Sequence, residues 1–333
     1  MRNPRISTVL PVYNGAETLR RAIASIQSQD IEDWEMIVVD DGSADGSAGI
    51  AADMASRDQR IQLLRQPHRG LVPALRTGCA AARGEFIARM DADDCSLPQR
   101  FSKQLAWFDE HPNGVHCGTQ VRMAGAHVKS GRLRYEAWLN ENTTHESIVR
   151  EMFVECPIAH PTFMMRRSAL ESIGGYRAFD GPEDYDLIMR FWQHGHELGN
   201  VPEVLLDWHE SAERHSMTSP RYTEEAFRAF KRYWLDHSRI TGGRPLYQWG
   251  AGEVGKRWLR EWDPGAIVAV ADIRSSKIGQ RIHGYAVIRP EDLPRAGNCF
   301  VVIAVGTPGA RGDIRAHCAA LGLVEEGDFI FVA

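Results

Sequence analysis

The sequence predicts an α/β protein of two domains, on three observations. Short, near-continuous apolar runs alternate with amphipathic stretches from residue 6 onward, as in parallel strands covered by helices on both faces. The stretch Thr241-Gly242-Gly243-Arg244-Pro245 interrupts the chain, and a second alternating series opens directly behind it. A length of 333 residues suits about two domains.

The elements follow in order. ISTVLPV (6–12) is the first strand, and a helix over about 16–29 carries Leu19, Ile23 and Ile26 on one side. EMIVVD (35–40) is the second strand and closes on Asp40-Asp41-Gly42-Ser43. A helix over 45–57, a strand at 61–65, a helix over 71–82 and a strand at EFIARMD (85–91) continue the series. Such repeats form a parallel sheet with right-handed crossovers, and ligands bind at the carboxyl ends of its strands. Beyond Pro98 the alternation weakens. A helix is expected over 98–111, strands near 115–123 and 131–138, and helices at about 143–153, 166–173, from Pro182, and over 221–238. Residues 1–240 then form one domain. Residues 244–333 form the second, where strands at 245–250, 266–272 and 299–306 and a helix ending near Trp262 resume the pattern.

Composition excludes several classes. Hydrophobic residues at 43% and charged residues at 25% rule out disorder, collagen and coiled coil as the main state. A net charge of -5 argues against a nucleic-acid partner, and means that an anionic ligand needs a local device to be held. The six cysteines lie apart, with no CxxC pair, which fits reduced thiols and a cytoplasmic setting. No apolar run approaches a transmembrane length, and Met1-Arg2-Asn3-Pro4 carries no signal-peptide pattern.

Three polar clusters follow strands where ligands should sit: Pro11-Val12-Tyr13-Asn14, Asp40 to Gly46, and Asp91-Ala92-Asp93-Asp94. In an extended segment Asp91 and Asp93 share a face and Asp94 points the other way. Two carboxylates about 4 Å apart repel by roughly 4 kcal/mol at an effective dielectric near 20. A divalent cation converts that repulsion into ligation, and hard oxygen donors select magnesium or manganese. A solvated acidic turn ahead of Pro98 explains the same residues equally well.

PVYN, VVDDGSADGS, the Gly-Leu helix bearing Arg76 and ARGEFIARMDADD together resemble the family-2 glycosyltransferases of the GT-A fold. HPTFMMRRSALESIGGYR (160–177) and GPEDYDLIMR (181–190) extend the resemblance over about residues 5–240. It implies inverting, metal-assisted transfer of a sugar from a nucleotide-diphosphate sugar to an acceptor hydroxyl. The acceptor would be a glycan, a lipid-linked sugar or a small molecule. Carried over, Pro11, Tyr13 and Asp41 surround the base and ribose, and Arg76 faces the nucleotide. Asp91 and Asp93 form the DXD motif, with Asp93 the direct metal ligand. Asp184 matches the general base, although Pro182, Glu183, Asp184 and Asp186 also make an ordinary acidic first turn of a helix. The family's late metal-side histidine has no unique match here: His209, His215 and Ser211 all stand near it. His160 either lines the acceptor pocket or is a structural partner. The QxxRW motif and membrane helices of processive synthases are absent from the sequence, which favours transfer of a single sugar.

In the second domain Gly250-Ala251-Gly252-Glu253-Val254-Gly255 follows a strand, and Asp272 ends the next one. This is the pattern of a dinucleotide turn: glycines for close packing, a helix N-terminus for pyrophosphate, an acid for ribose. The domain is too short for a full dinucleotide fold and resembles the small Rossmann-like domains found beside sugar-modifying enzymes. A bound nucleotide is one reading of this turn, and a structural or regulatory module is the other.

Two other functions are weighed. A sugar nucleotidyltransferase needs a glycine-rich loop after strand one, and PVYNGAETL offers only Gly15. A dinucleotide-binding regulator or oxidoreductase with an inactive first domain sits poorly with intact Asp41, Asp91, Asp93 and Asp184. The helix over 221–238 places Phe227, Phe230 and Trp234 on one face with Arg228, Lys231 and Arg232 off it. A buried junction is expected there rather than a membrane anchor, with transient membrane-surface contact as the other use.

Overall fold

The computed structural model describes residues 3–125, 128–210, 222–307 and 309–333. The chain divides into two units, 1–148 with 157–218, and 149–156 with 219–333.

In the first unit the strands are β1 (Ile6–Val12), β2 (Trp34–Asp40), β3 (Ile61–Arg65), β4 (Phe86–Arg89), β5 (Cys95–Ser96), β6 (Gly114–Ala124), β7 (Met164–Arg166) and β8 (Glu197–His209). They make one sheet in the order β3-β2-β1-β4-β7-β6-β8-β5. Every residue of β1 and β2 is buried, which is why these strands read as continuous apolar runs. Helices α1 (Ala16–Gln27), α2 (Ser47–Arg57), α3 (Leu71–Ala81) and α4 (Arg100–Glu110) connect the early strands. Leu19, Ala22, Ile23 and Ile26 form the buried stripe of α1. Gly78 lets α3 approach the sheet closely, because a Cβ there would lie 2.4 Å from Val9 Cγ1.

The sheet is parallel across β3, β2, β1 and β4, and again between β6 and β8. Strand β7 runs antiparallel to both β4 and β6, and β5 runs antiparallel to β8. The parallel arrangement expected of the early βα units is found in β1 to β4, and the antiparallel neighbours come beyond Pro98, where the alternation weakens. A correction concerns 131–138, expected as a strand and found inside helix α5 (Ser130–Glu141). Its docking explains the difference. The Asn140 side chain receives the Val121 N–H at 2.9 Å and donates to the Val121 carbonyl at 2.8 Å, so it covers the β6 backbone as a strand would. Helices α6 (His145–Glu151) and α7 (Arg167–Ser172) follow, and helix α8 (Glu183–Gln193) begins immediately after Pro182, as expected.

The second unit has strands β9 (Leu246–Trp249), β10 (Ile267–Ala271), β11 (Arg281–Ile282), β12 (Tyr285–Ile288), β13 (Phe300–Ile303) and β14 (Phe329–Phe331), in the order β11-β12-β10-β9-β13-β14. All neighbours are parallel except the edge pair β11 and β12. The helix Glu224–His237 groups with this unit, whereas the punctuation near 240 suggested that it closes the first domain. Phe230 and Trp234, on its apolar face, are buried. Lys231, expected off the apolar stripe, is buried too. Its ammonium donates to the carbonyls of Val154 and Val332, and burial pushes its pKa down to about 8. Arg228 pairs with Glu224 and Glu261, and Arg232 with Asp236 and Asp263, so the basic side of this helix is internally neutralised. Among the described residues no helix is long and apolar enough to cross a membrane.

Candidate active site

The carboxyl ends of β1, β2 and β4 are adjacent in the sheet, and the three polar clusters meet there. The turns after β1 and β2 are laced together. Asn14, at φ 53°, donates its N–H to Ser43 Oγ and accepts the Ala44 N–H on its side-chain oxygen. Asp45 accepts from Ala16 N–H, Ser47 N–H and Ser47 Oγ, and so caps the first turns of two helices, as the sequence suggested.

Asp41 is buried, and its carboxylate is heavily used. It accepts from Gln66 Nε2 at 2.6 Å and from the backbone N–H groups of Arg69 and Gly70, with His68 Nδ1 at 2.8 Å. This carboxylate holds the 66–70 loop over the end of β2. Tyr13 is half exposed and stacks on His68, ring centroids 3.9 Å apart. Asp41, Tyr13 and His68 therefore form one assembly, with an aromatic face in front and the carboxylate behind. Pro11 lies in buried β1, two residues before Tyr13. Arg76 is exposed on α3.

The acidic cluster departs from the expected alternation. Residues 92–93 turn instead of extending, and the carboxylates of Asp91, Asp93 and Asp94 all come within 4.8 Å of one another. Asp94 is brought in by the last residue of β8, whose His209 N–H donates to Asp94 Oδ1 at 2.8 Å. His209 thus stands beside the cluster through its backbone; His215 and Ser211 lie outside the described residues. Arg21 donates to the Asp93 carbonyl at 2.8 Å. Three hard oxygen donors on a turn of this size fit a magnesium or manganese ion.

Asp184 occupies the first turn of α8, half buried, and accepts the Tyr185 N–H at 2.8 Å. Glu183 beside it is buried and faces His160 Nδ1 at 3.4 Å, while His160 Nε2 meets the Tyr176 hydroxyl at 2.8 Å. Burial, and then the charge of Arg89, hold the His160 pKa below its ordinary value against the pull of Glu183. Asp186 is spoken for structurally, with Arg177 and Arg190 both on its carboxylate. His160 is thus a buried partner of the helix that carries Asp184.

Reasoning from sequence pointed Asp94 away from Asp91 and Asp93 and left Arg89 unremarked, whereas the structure gathers the three carboxylates and sets Arg89 against Asp91. The signal for Arg89 was present: a single charge inside the apolar run EFIARMD.

In the second unit, Gly250 (φ 111°) and Gly255 behave as a tight, closely packed turn, since a Cβ on Gly255 would meet the Gly250 carbonyl at 2.0 Å. Gly252 has open space around it. Asp272, however, turns inward. Its carboxylate accepts from Ala251 N–H, Arg274 N–H and Lys277 Nζ, and Lys277 also donates to the Ala251 carbonyl. The acid expected to receive a ribose instead closes its own turn.

The glycosyl transferase family 2 model matches residues 7–174, half of the chain. The chain belongs to glycosyl transferase family 2. This glycosyltransferase is 32% identical over 225 residues to EpsE of Bacillus subtilis (strain 168), covering 66% of this chain and 78% of the relative. It is 30% identical over 203 residues to the amylovoran biosynthesis glycosyltransferase AmsE of Erwinia amylovora, covering 60% and 74%. Among solved structures, residues 1-349 of S. aureus TarS in complex with UDP-GlcNAc match at TM-score 0.55 and 16% identity, over 77% of this chain and 79% of that one. The mannosyltransferase PcManGT of Pyrobaculum calidifontis, in complex with GDP-Man and Mn2+, matches at TM-score 0.51 and 20% identity, over 72% and 64%. The glycosyltransferase spans 40% of a longer TarS structure, again at TM-score 0.54 and 16% identity over 70% of this chain. These structural likenesses establish a shared GT-A type fold.

Proposed function

We propose that this glycosyltransferase moves a single sugar, with inversion, from a nucleotide-diphosphate sugar to an acceptor hydroxyl during assembly of a surface glycan or polysaccharide. The observation that carries this reading is the convergence of Asp91, Asp93 and Asp94 at the carboxyl end of β4, next to the Tyr13–His68 face. Relatives support it. AmsE is named for amylovoran biosynthesis, and the fold neighbours were solved with UDP-GlcNAc and with GDP-Man and Mn2+.

Tyr13 supplies a stacking surface for the nucleobase, and Asp41 shapes the loop around it. Arg76 faces the nucleotide from α3. Asp93, with Asp91 and Asp94 beside it, would hold a divalent cation, which when bound offsets the charge of the diphosphate. Asp184 accepts the proton of the acceptor hydroxyl as that oxygen bonds to the anomeric carbon. The bond from that carbon to the diphosphate breaks on the opposite face, and its electron pair leaves with the phosphate oxygen. The acceptor is a glycan, a lipid-linked sugar or a small molecule. The six free thiols favour a reducing, cytoplasmic setting. The second unit is an accessory Rossmann-like domain, and the internal closure of Asp272 favours a structural role over nucleotide binding.

A donor screen decides the matter. The full chain is incubated with UDP-, GDP- and dTDP-sugars, Mn2+ and candidate acceptors, and nucleotide release is followed. Release that depends on both a donor and an acceptor is expected; no release with any donor would overturn the assignment.

A further inference from the structure

Arg89 is the last residue of β4 and carries a guanidinium that is almost wholly enclosed, 3% exposed. Its neighbours Phe86, Ala88 and Met90 enter the main core cluster, so by strand alternation Arg89 points to the other face of the sheet. The backbone on which it stands is pinned. Arg89 N–H donates to the Phe163 carbonyl at 2.8 Å, and Arg100 Nη2 donates to the Arg89 carbonyl at 2.9 Å. The side chain is held mainly by charge. Nη1 is in direct contact with Asp91 Oδ2, while Nε has no hydrogen-bond partner among the described residues. Burial alone would lower the Arg89 pKa; the charges of Asp91 and Glu183, with Tyr176, outweigh it and hold the guanidinium protonated. Glu183 in turn faces His160, which Tyr176 fixes from its other side. An isolated buried cation costs several kcal/mol, so one retained at this place needs the Asp91 carboxylate beside it.

We infer that Arg89 is a positioning residue for sugar transfer: its guanidinium fixes Asp91 at the edge of the acidic cluster. The inference rests on the proposed reading of 91–94 and 184 as the reaction centre. The positive charge of Arg89 partly neutralises the cluster, and its contact with Asp91 holds that carboxylate in place beside Asp93 and Asp94, where small displacements are costly.

The test uses the full chain and two variants, Arg89→Met and Arg89→Lys. Calorimetric titration with Mn2+ alone needs no turnover. Arg89→Met is expected to bind Mn2+ about tenfold more tightly, because a like charge beside the ligands is gone, whereas a merely structural lesion would weaken binding. In steady-state kinetics its kcat is expected to fall about 100-fold with donor KM little changed. Arg89→Lys keeps the charge but not the fork. It is expected to retain the parent's Mn2+ affinity and to lose about tenfold in kcat. An unchanged or weakened Mn2+ affinity, or an unchanged kcat, in folded Arg89→Met overturns the inference. Where Arg89→Met does not fold, Arg89→Lys decides, and parental kcat in it is the adverse result. If the parent itself binds no Mn2+, the metal reading of 91–94 fails by itself, and the two kcat values still decide the role of Arg89.

Discussion

Asp184 and the acidic turn carry the sharpest consequences for single side chains. Asp184→Asn keeps the shape of the first turn of α8 and removes the proton acceptor, so kcat is expected to fall about 10²- to 10⁴-fold while donor affinity stays near the parent's. Near-parental turnover would mean that Asp184 only caps its helix. At the cluster, Asp93→Asn or added EDTA is expected to weaken nucleotide-diphosphate binding at least about tenfold in calorimetry; equal affinity with Mn2+ and with EDTA would remove the metal from the site. His116 governs a different property. It is fully buried on β6 and edge-on to Phe163, and burial, then the neighbouring His160, push its pKa down to about 3. An unfolded histidine titrates near 6.5. Between those two values the unfolded chain binds a proton that the folded chain refuses. The stability present above pH 6.5 is therefore lost as pH falls, by at most about 1.4 kcal/mol per pH unit. Thermal unfolding at about pH 7 and about pH 5 should show this loss in the parent and a smaller one in His116→Leu. Equal losses would place the acid sensitivity elsewhere.

Among elements, the glycine turn of the second unit separates packing from ligand binding. A methyl group on Gly255 would press on the Gly250 backbone, which has no side-chain freedom to yield, whereas one on Gly252 meets nothing within 4 Å. Gly255→Ala is expected to destabilise the unit by about 1–3 kcal/mol and Gly252→Ala by much less, as read from thermal unfolding. Similar effects would mean that the turn is looser than its geometry. The early strands were legible because each is buried on both faces, and an apolar run of that length has few other uses. Strands β5 and β7 were not, since two or three residues carry no usable period. Helix α5 was misjudged as a strand for a related reason. Only Leu139 of its twelve residues is buried, so no helical stripe marks the sequence, and its place is set by Asn140 reaching the β6 backbone.

For the whole molecule, the segment 149–156 matters most. It lies inside the stretch matched by the family, yet it groups with the C-terminal residues. Glu151 is buried and paired with Arg311 at 2.9 Å and Arg315 at 3.0 Å, and the Val154 carbonyl takes Lys231. A chain truncated at residue 240 keeps Lys231 and Arg150 but loses Arg311 and Arg315, taking two cations away from a buried carboxylate. Such a chain is expected to give less soluble protein and a lower unfolding temperature than the full chain; parental stability would show that 149–156 folds without those partners. The sequence alone was enough to identify the family, the strand ends that bear Tyr13, Asp41, Asp91 and Asp93, and the acidic turn at Asp184, because these depend on local runs and spacing. Tertiary structure decided the rest. It folded Asp94 into the cluster through a strand more than a hundred residues away. It set Glu183 against His160, turned Asp272 inward, and moved Lys231 from an expected surface into a core. Each of these outcomes turns on where a buried charge finds its partner, and that partner lies far off in the chain, where no local pattern records it.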